Sequence, residues 1–368
     1  MEVAGAQRIL FSLASYFHAH GYPVQAAFFY DKQHLATEWQ EQHPYPVLSL
    51  GGWKRGGFVL ANLFRLLAGL FRLYMHLRRT NVVIAYTPHS NLLALPLAWV
   101  AGVKVRLGTH HGHIENSPRL LGWLHGKLTN SGLCTRMICV SSQVRTLAMR
   151  EEGARASKLV VIDNGIHPPQ QQSLSPQARQ QLRASLDVKP EQTLFLTVGR
   201  LMVQKGHTYL LDAIAQLASR NFVFAFVGHG PLEQELRQQA QRLQIDDNLR
   251  FVGVRSDVGQ LLEAADVFVQ PSLWEGMSLA LLEAMFAGLP IVATNIEAAT
   301  DVLEHERSAL LVTPRDPNDL ASALMRIAAD PALRERLGRA AKADAQQKYT
   351  VDVMGSAYAQ LIENLWHD

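Results

Sequence analysis

Residues 266–295 read DVFVQPSLWEGMSLALLEAMFAGLPIVATN, and the architecture of the chain turns on them. Residues 266–270 and 291–295 are short runs of β-branched and aromatic side chains, each of strand length. Between them a loop ends in Trp274-Glu275-Gly276, and an apolar-periodic segment follows, closed by Gly288 and Pro290. The order is strand, loop, helix, strand, the unit of a parallel sheet. Ser278 has the side chain of an N-cap, and Gly288 stands where the helix needs a left-handed residue to stop. Glu275 then lies outside the carboxyl end of a strand, where open α/β sheets place ligands. Glu283, eight positions on, lies more than a turn inside the helix. The amides and positive dipole end of such a helix suit phosphate.

Two glutamates eight residues apart occur in many helices. Set among Pro271-Ser272, Glu275-Gly276, Glu283-Ala284 and Gly288-Leu289-Pro290, the pair resembles the signature of retaining GT-B glycosyltransferases, in particular the large family 4. The resemblance runs from Gly5 onward and is densest over residues 193–314. It implies an α/β fold of two Rossmann-like, doubly wound domains facing a central cleft. Residues 1–170 would bind the acceptor, residues 171–345 the nucleotide-sugar, and residues 346–368 would form a helix crossing back to the first domain.

A strand at residues 193–198 leads into Gly199-Arg200-Leu201-Met202-Val203-Gln204-Lys205-Gly206, similar to the family's Gly-Arg-Leu-x3-Lys-Gly loop. By that resemblance Arg200 and Lys205 grip the donor pyrophosphate, a rigid fork and a point charge against a leaving group gaining negative charge. The amides at Gly276, Met277, Ser278 and Leu279 add to the neutralisation. Glu283 accepts from the ribose hydroxyls, and Glu275 holds the sugar hydroxyls near the reacting carbon. Val254 and Arg255, after a strand at residues 249–253, stand where such enzymes present backbone groups to the base. Gly228-His229-Gly230-Pro231 follows a strand at residues 222–227, but Glu233 replaces the third glycine of a dinucleotide fingerprint, which excludes an NAD site. A last strand is expected at residues 309–313, and a helix at residues 351–366.

In the first domain Gly5-Ala6-Gln7-Arg8 matches the family's Gly-Gly-Ala-Glu/Gln-Arg loop near the donor phosphates, with Ala4 replacing one glycine. The strand that precedes this loop in the family is missing, and such sheets hold it centrally. The expectation is a reading frame that begins downstream of the true start, leaving the first domain without its first strand. A helix from Ile9 to about His20 and strands at residues 24–30, 82–86, 103–109, 137–141 and 159–162 follow. The segment Gly108-Thr109-His110-His111-Gly112-His113 resembles a Thr-x-His-Gly segment whose histidine touches the donor sugar; His111 is the better match and His110 the alternate. A neutral imidazole donates one hydrogen bond and accepts another, which suits a sugar hydroxyl and a backbone group. Three histidines in four residues suggest a metal, but no carboxylate lies in register, and none is expected.

At 368 residues the chain suits two domains, and at 48% hydrophobic and 18% charged it is globular. Cys134 and Cys139 give neither a disulfide framework nor metal-ligand spacing, and no signal peptide is visible, so a reduced cytosolic compartment is expected. The net charge of +3 is unevenly spread: residues 1–186 hold 19 Lys+Arg against 8 Asp+Glu, and residues 187–368 hold 16 against 24. The basic half calls for an anionic partner, a phosphate-bearing acceptor or a membrane surface, and nothing in the motifs favours nucleic acid. Gly51-Gly52-Trp53-Lys54-Arg55-Gly56-Gly57 reads as a basic loop. Residues 58–77 are strongly apolar, yet Arg65 and Arg72 exclude a spanning helix. Asn62, Arg65, Gly69, Arg72, His76 and Arg79 recur at helical spacing as a polar stripe. Either this helix packs on the domain's sheet, or it is an interfacial surface for a membrane-borne acceptor.

The reaction implied is transfer of a sugar, with retention, from a UDP- or GDP-sugar to a glycan or lipid-linked acceptor in cell-envelope polysaccharide or glycolipid synthesis. No Asp-x-Asp occurs, so neither a metal nor a cofactor is expected beside the donor. The place expected is the cytoplasm, with peripheral contact at the inner face of the cytoplasmic membrane. Two alternatives stand against it. A nucleotide-sugar 2-epimerase of the same architecture would lack the Glu275/Glu283 pair in this context. A non-catalytic nucleotide-sugar-binding partner subunit is opposed by the intact Arg200, Lys205, Glu275 and Glu283.

Overall fold

A computed structural model describes residues 5–31, 35–53, 58–112, 119–168, 174–217 and 221–367. Residues 1–4, the basic loop positions 54–57, His113 and the linker positions 169–173 lie outside the described residues. The chain divides into two compact units, Met1–His167 with Thr350–Asp368, and Pro168–Tyr349.

The first unit runs α1 (Gly5–Ala19), β1 (Ala26–Phe28), α2 (Ala36–Gln42), β2 (Val47–Ser49) and α3 (Val59–Leu77). It continues with β3 (Val82–Tyr86), α4 (Pro88–Val100), β4 (Val105–His110), α5 (Arg119–Asn130), β5 (Arg136–Cys139), α6 (Ser142–Glu151) and β6 (Leu159–Val161). Among the described residues its strands are all parallel and fall into two sheets, β1-β2 and β3-β4-β5-β6. Val105, Leu107, Met137, Ile138 and Cys139 of the inner strands are fully buried, the continuous apolar pattern of a parallel sheet covered on both faces. On the edge strand β3, Val82, Val83 and Ile84 are only half-buried.

Two expectations are corrected here. Gly5 to Arg8 form the first turn of α1 rather than a loop before it, since Ala6, Gln7 and Arg8 are adequate helix formers and the apolar period continues unbroken behind them. The strand at residues 24–30 shrinks to β1, whose partner β2 escapes sequence analysis because three residues are too few to display a period.

The second unit opens with α7 (Pro176–Ser185) and then alternates. It runs β7 (Thr193–Val198), α8 (His207–Ile214), β8 (Phe222–Val227), α9 (Glu233–Leu243), β9 (Leu249–Gly253), α10 (Val258–Ala264) and β10 (Val267–Gln270). Next come α11 (Leu279–Ala287), β11 (Ile291–Thr294), α12 (Glu297–Thr300), β12 (Leu310–Val312), α13 (Pro317–Ala329) and α14 (Pro331–Lys348). The six strands are parallel in the order β12-β11-β10-β7-β8-β9. Chain order therefore reverses between β7 and β10, which is the topological switch point of a doubly wound sheet. Phe195 stacks on Phe224 at 4.6 Å in its core. Asp266, just ahead of β10, accepts from Arg179 at 2.9 Å, Arg183 at 2.8 Å and the Leu194 amide at 2.8 Å, which ties α7 and β7 to the start of β10.

The last helix, α15 (Val351–His367), belongs to the first unit and packs on α1. The Tyr16 ring lies directly over Gly355, where a Cβ would stand 2.3 Å from ring carbons, and Tyr16 Oη hydrogen-bonds Ser356 Oγ at 3.1 Å.

Candidate active site

The loops that follow β7 and β10 meet at the switch point. The first leaves β7 at Gly199, makes one tight turn over Val203–Lys205, and ends at Gly206 in the left-handed region, φ 64°. A Cβ on Gly206 would stand 2.0 Å from Pro271 O, so only glycine lets this loop lie against the second. Leu273 N donates to Gln204 O at 2.8 Å across the same seam.

That seam sets Lys205 against Glu275. Lys205 Nζ donates to Glu275 Oε1 at 2.5 Å, with side chains only 17% and 7% exposed. Ser272 Oγ donates to the same oxygen at 2.8 Å, and Gln204 Nε2 donates to Oε2 at 3.2 Å and to Trp274 O at 3.0 Å. Three donors thus hold one carboxylate in a single orientation, and the buried charge is paired. Gly199 leaves room for the lysine: a Cβ there would be 3.0 Å from Lys205 Cε.

Beside Glu275, α11 begins as its sequence requires. Ser278 Oγ accepts from Leu281 N at 3.3 Å, and Gly288, φ 75°, closes the helix. The first intrahelical bond runs from Leu282 N to Ser278 O at 3.2 Å, so the amides of Leu279 and Ala280 precede it as a helix start does for any anion. Met277 is buried, Gly276 is half-buried, and Glu283 is half-buried as the fifth residue of α11. Arg200 is exposed at the start of the β7 loop, and Val254 is exposed after β9. Arg255 is held in a two-pronged pair with Asp257 at 2.8 and 2.6 Å.

The fold thus brings Gly199, Lys205 and Glu275 together, while the Arg255 guanidinium is committed to Asp257. It also recruits Gln204 and Ser272, to which sequence analysis gives no role. Their signal was faint: a polar residue beside the lysine, and a serine three before the glutamate. The approach of two loops 70 residues apart in the chain makes them partners.

In the first unit, His111 follows β4. Thr109 Oγ1 donates to Ala85 O at 3.1 Å, so its lone pair accepts the Nε2 proton of His111 at 3.0 Å, leaving His111 Nδ1 as an acceptor. The ring lies over Tyr86 at 5.8 Å. Burial, with His110 adjacent, pushes the His111 pKa down to about 4, so it is neutral at pH 7.

His110 faces elsewhere, and the carboxylate absent from its stretch of sequence arrives from the end of α6. Glu152 accepts from His110 Nε2 at 3.2 Å and from His125 Nδ1 at 2.8 Å. Two histidines and a carboxylate this close are metal-ligand types. The outer hydrogen bonds assign the protons otherwise. Asn91 Nδ2, oriented by its bond to Thr109 O at 3.0 Å, donates to His125 Nε2 at 2.8 Å, and Gly112 N donates to His110 Nδ1 at 3.2 Å. Both inner nitrogens therefore carry the protons that Glu152 accepts, and a metal would force protons onto nitrogens that already face N–H donors. Burial alone would raise the Glu152 carboxyl, but the hydrogen bonds from His110 and His125 outweigh it and hold it at about 2.

A doubly wound parallel sheet with charged loops gathered at its switch point is the architecture of nucleotide-binding α/β proteins. Residues 178–344 match the family model described as "Glycosyl transferases group 1", and residues 3–169 match "Glycosyltransferase Family 4". The chain is 30% identical over 287 residues to the UDP-Gal:alpha-D-GlcNAc-diphosphoundecaprenol alpha-1,3-galactosyltransferase of Escherichia coli, spanning 74% of this chain and 73% of that protein. It is 31% identical over 181 residues to the lipopolysaccharide core biosynthesis glycosyltransferase LpsD of Rhizobium meliloti, 49% of this chain and 52% of the relative. The structure of Anabaena Alr3699/HepE in complex with UDP-glucose aligns with a TM-score of 0.86 at 23% identity, over 99% of this chain and 97% of that one. WaaG, a glycosyltransferase involved in lipopolysaccharide biosynthesis, aligns at 0.72 and 19%, over 97% and 96%. The chain belongs to the group 1, family 4 glycosyltransferases and has their GT-B fold of two Rossmann-like units.

Proposed function

We propose that this transferase moves a hexose, with retention and without a metal, from a UDP- or GDP-sugar to a lipid-linked or glycan acceptor of the cell envelope. The observation that carries the reading is the Lys205–Glu275 pair, fixed by Ser272 and Gln204 at the switch point beside the start of α11. In the second unit, the nucleotide-sugar unit, Lys205 and exposed Arg200 neutralise the donor diphosphate with the amides at Gly276, Met277, Ser278 and Leu279. Glu275, held by the remaining donors, accepts from the sugar hydroxyls, Glu283 accepts from the ribose, and the backbone at Val254 and Arg255 meets the base. In the acceptor-binding unit taken by itself, His111 presents Nδ1 as a hydrogen-bond acceptor suited to a sugar hydroxyl. The bond from the anomeric carbon to the diphosphate breaks on the face where the acceptor oxygen bonds, and the acceptor proton passes to the departing phosphate oxygen. The E. coli relative's name, with a UDP-sugar donor and a lipid-diphosphate acceptor, supports the substrate classes.

Purified chain screened for hydrolysis of UDP-, GDP- and ADP-sugars is expected to consume a UDP- or GDP-sugar in the presence of a chelator. Glu275→Gln is expected to lower turnover at least about a hundredfold with unchanged circular dichroism; a wild-type rate would remove the site. NMR of the transferred sugar tests retention. Conversion of the donor to its 2-epimer without acceptor would favour the epimerase.

A further inference from the structure

Helix α3 packs through the Asn62 and Gly69 side of its polar stripe. Asn62 and Gly69 are buried with Leu73 and Leu77, a Cβ on Gly69 would stand 3.0 Å from Gly52 Cα, and Arg72 donates to Leu50 O at 2.9 Å. The opposite face is apolar and bare: Phe58 is 88% exposed, Leu60 71%, Phe64 72% and Phe71 64%, with Leu67 and Met75 about half exposed in the same row. Leu60, Phe64, Leu67, Phe71 and Met75 recur every three or four residues, a continuous ridge roughly 24 Å long. A soluble chain does not ordinarily leave such a ridge in water.

Charge identifies the occupant. Residues 42–114 contain no Asp or Glu and eight Lys or Arg, four of them, Arg65, Arg72, Arg78 and Arg79, in or just after α3. Arg78 and Arg79 stand exposed at the end of α3, and a symmetric contact with a second copy through residues 42–114 would set them against that copy's arginines with no Asp or Glu of the stretch to pair them. No helix among the described residues is long and apolar enough to cross a membrane. An apolar ridge with a basic flank fits the plane of an anionic bilayer.

We propose that α3 is an interfacial anchor, its ridge seated at the acyl boundary of an anionic bilayer and Arg78 and Arg79 on the headgroups. This deepens the proposed function, resting on it for the purpose: a lipid-linked acceptor is presented from that surface. The test is flotation of the full chain with phosphatidylcholine vesicles, with and without phosphatidylglycerol, beside donor hydrolysis in solution. The chain is expected to float with the anionic vesicles alone. Phe64→Glu/Phe71→Glu is expected to abolish flotation, and Arg78→Ala/Arg79→Ala to weaken it about tenfold or more, both with donor hydrolysis unchanged. No flotation, equal flotation on neutral vesicles, or an α3-sealed dimer in sedimentation would overturn the anchor. Loss of donor hydrolysis in the unmutated chain would instead strike the proposed function.

Discussion

Lys205 and Glu275 occupy one another, and the glycines around them have different duties. At Gly206 the obstacle is backbone, Pro271 O at 2.0 Å, and the left-handed φ adds strain. Gly206→Ala is expected to destabilise the second unit by about 2 kcal/mol or more, read as a lower urea midpoint. At Gly199 the obstacle is the flexible end of Lys205. Gly199→Ala is expected to cost under about 1 kcal/mol of stability, yet to displace the ammonium and lower turnover in the same assay. Histidines set the acid limit. Burial lowers His111 to about 4, and burial with Lys205 nearby lowers His207 to about 3, from an ordinary 6.5. Below pH 6.5 the unfolded chain binds protons that the native sites refuse, so stability falls as pH drops from 6.5 towards 4 and 3. Denaturant titrations at pH 7 and 5 are expected to differ by roughly 2 kcal/mol per histidine. His207→Leu is expected to flatten that dependence in the second unit. The Glu152 contribution is present above pH 4.5 and disappears between 4.5 and 2.

At the scale of elements, α11 was legible to the residue at both ends because its stop and start signals are local: a serine hydroxyl on an amide, and a glycine at φ 75°. β7 and β8 were equally legible, since buried parallel strands are nearly unbroken apolar runs between turn residues; the half-buried edge strand β9 was legible from the turn residues that bound it. α3 was legible as a helix but not in its orientation. Its period fixes which residues share a face; which face turns inward depends on what the neighbouring backbone at Leu50 and Gly52 offers. Asp266 looked like the first residue of a strand and proves to be the clasp between α7, β7 and β10. Asp266→Ala leaves the nearly buried Arg183 without its carboxylate and is expected to cost about 3 kcal/mol or more, measured by thermal unfolding.

At the scale of the whole molecule, the last helix completes the unit that the first helix begins. Val351, Met354 and Tyr358 are buried in the first unit, and Gly355 lies under Tyr16. A chain ending at Tyr349 is expected to lose amide-exchange protection along α1 and β4 while β7, β8 and β10 keep theirs; uniform loss in both units would refute the assignment of α15 to the first unit alone.

The sequence by itself determined the alternation of strand and helix, the caps of α11 and the membership of the family, because these rest on periods and short motifs that neighbouring residues complete among themselves. Only the tertiary structure decided that Gln204 and Ser272 share the Glu275 carboxylate, that Glu152 joins His110 to His125, and that α3 bares its apolar face. Each depends on segments far apart in the chain meeting at a few ångströms, and no local pattern encodes which of them will meet.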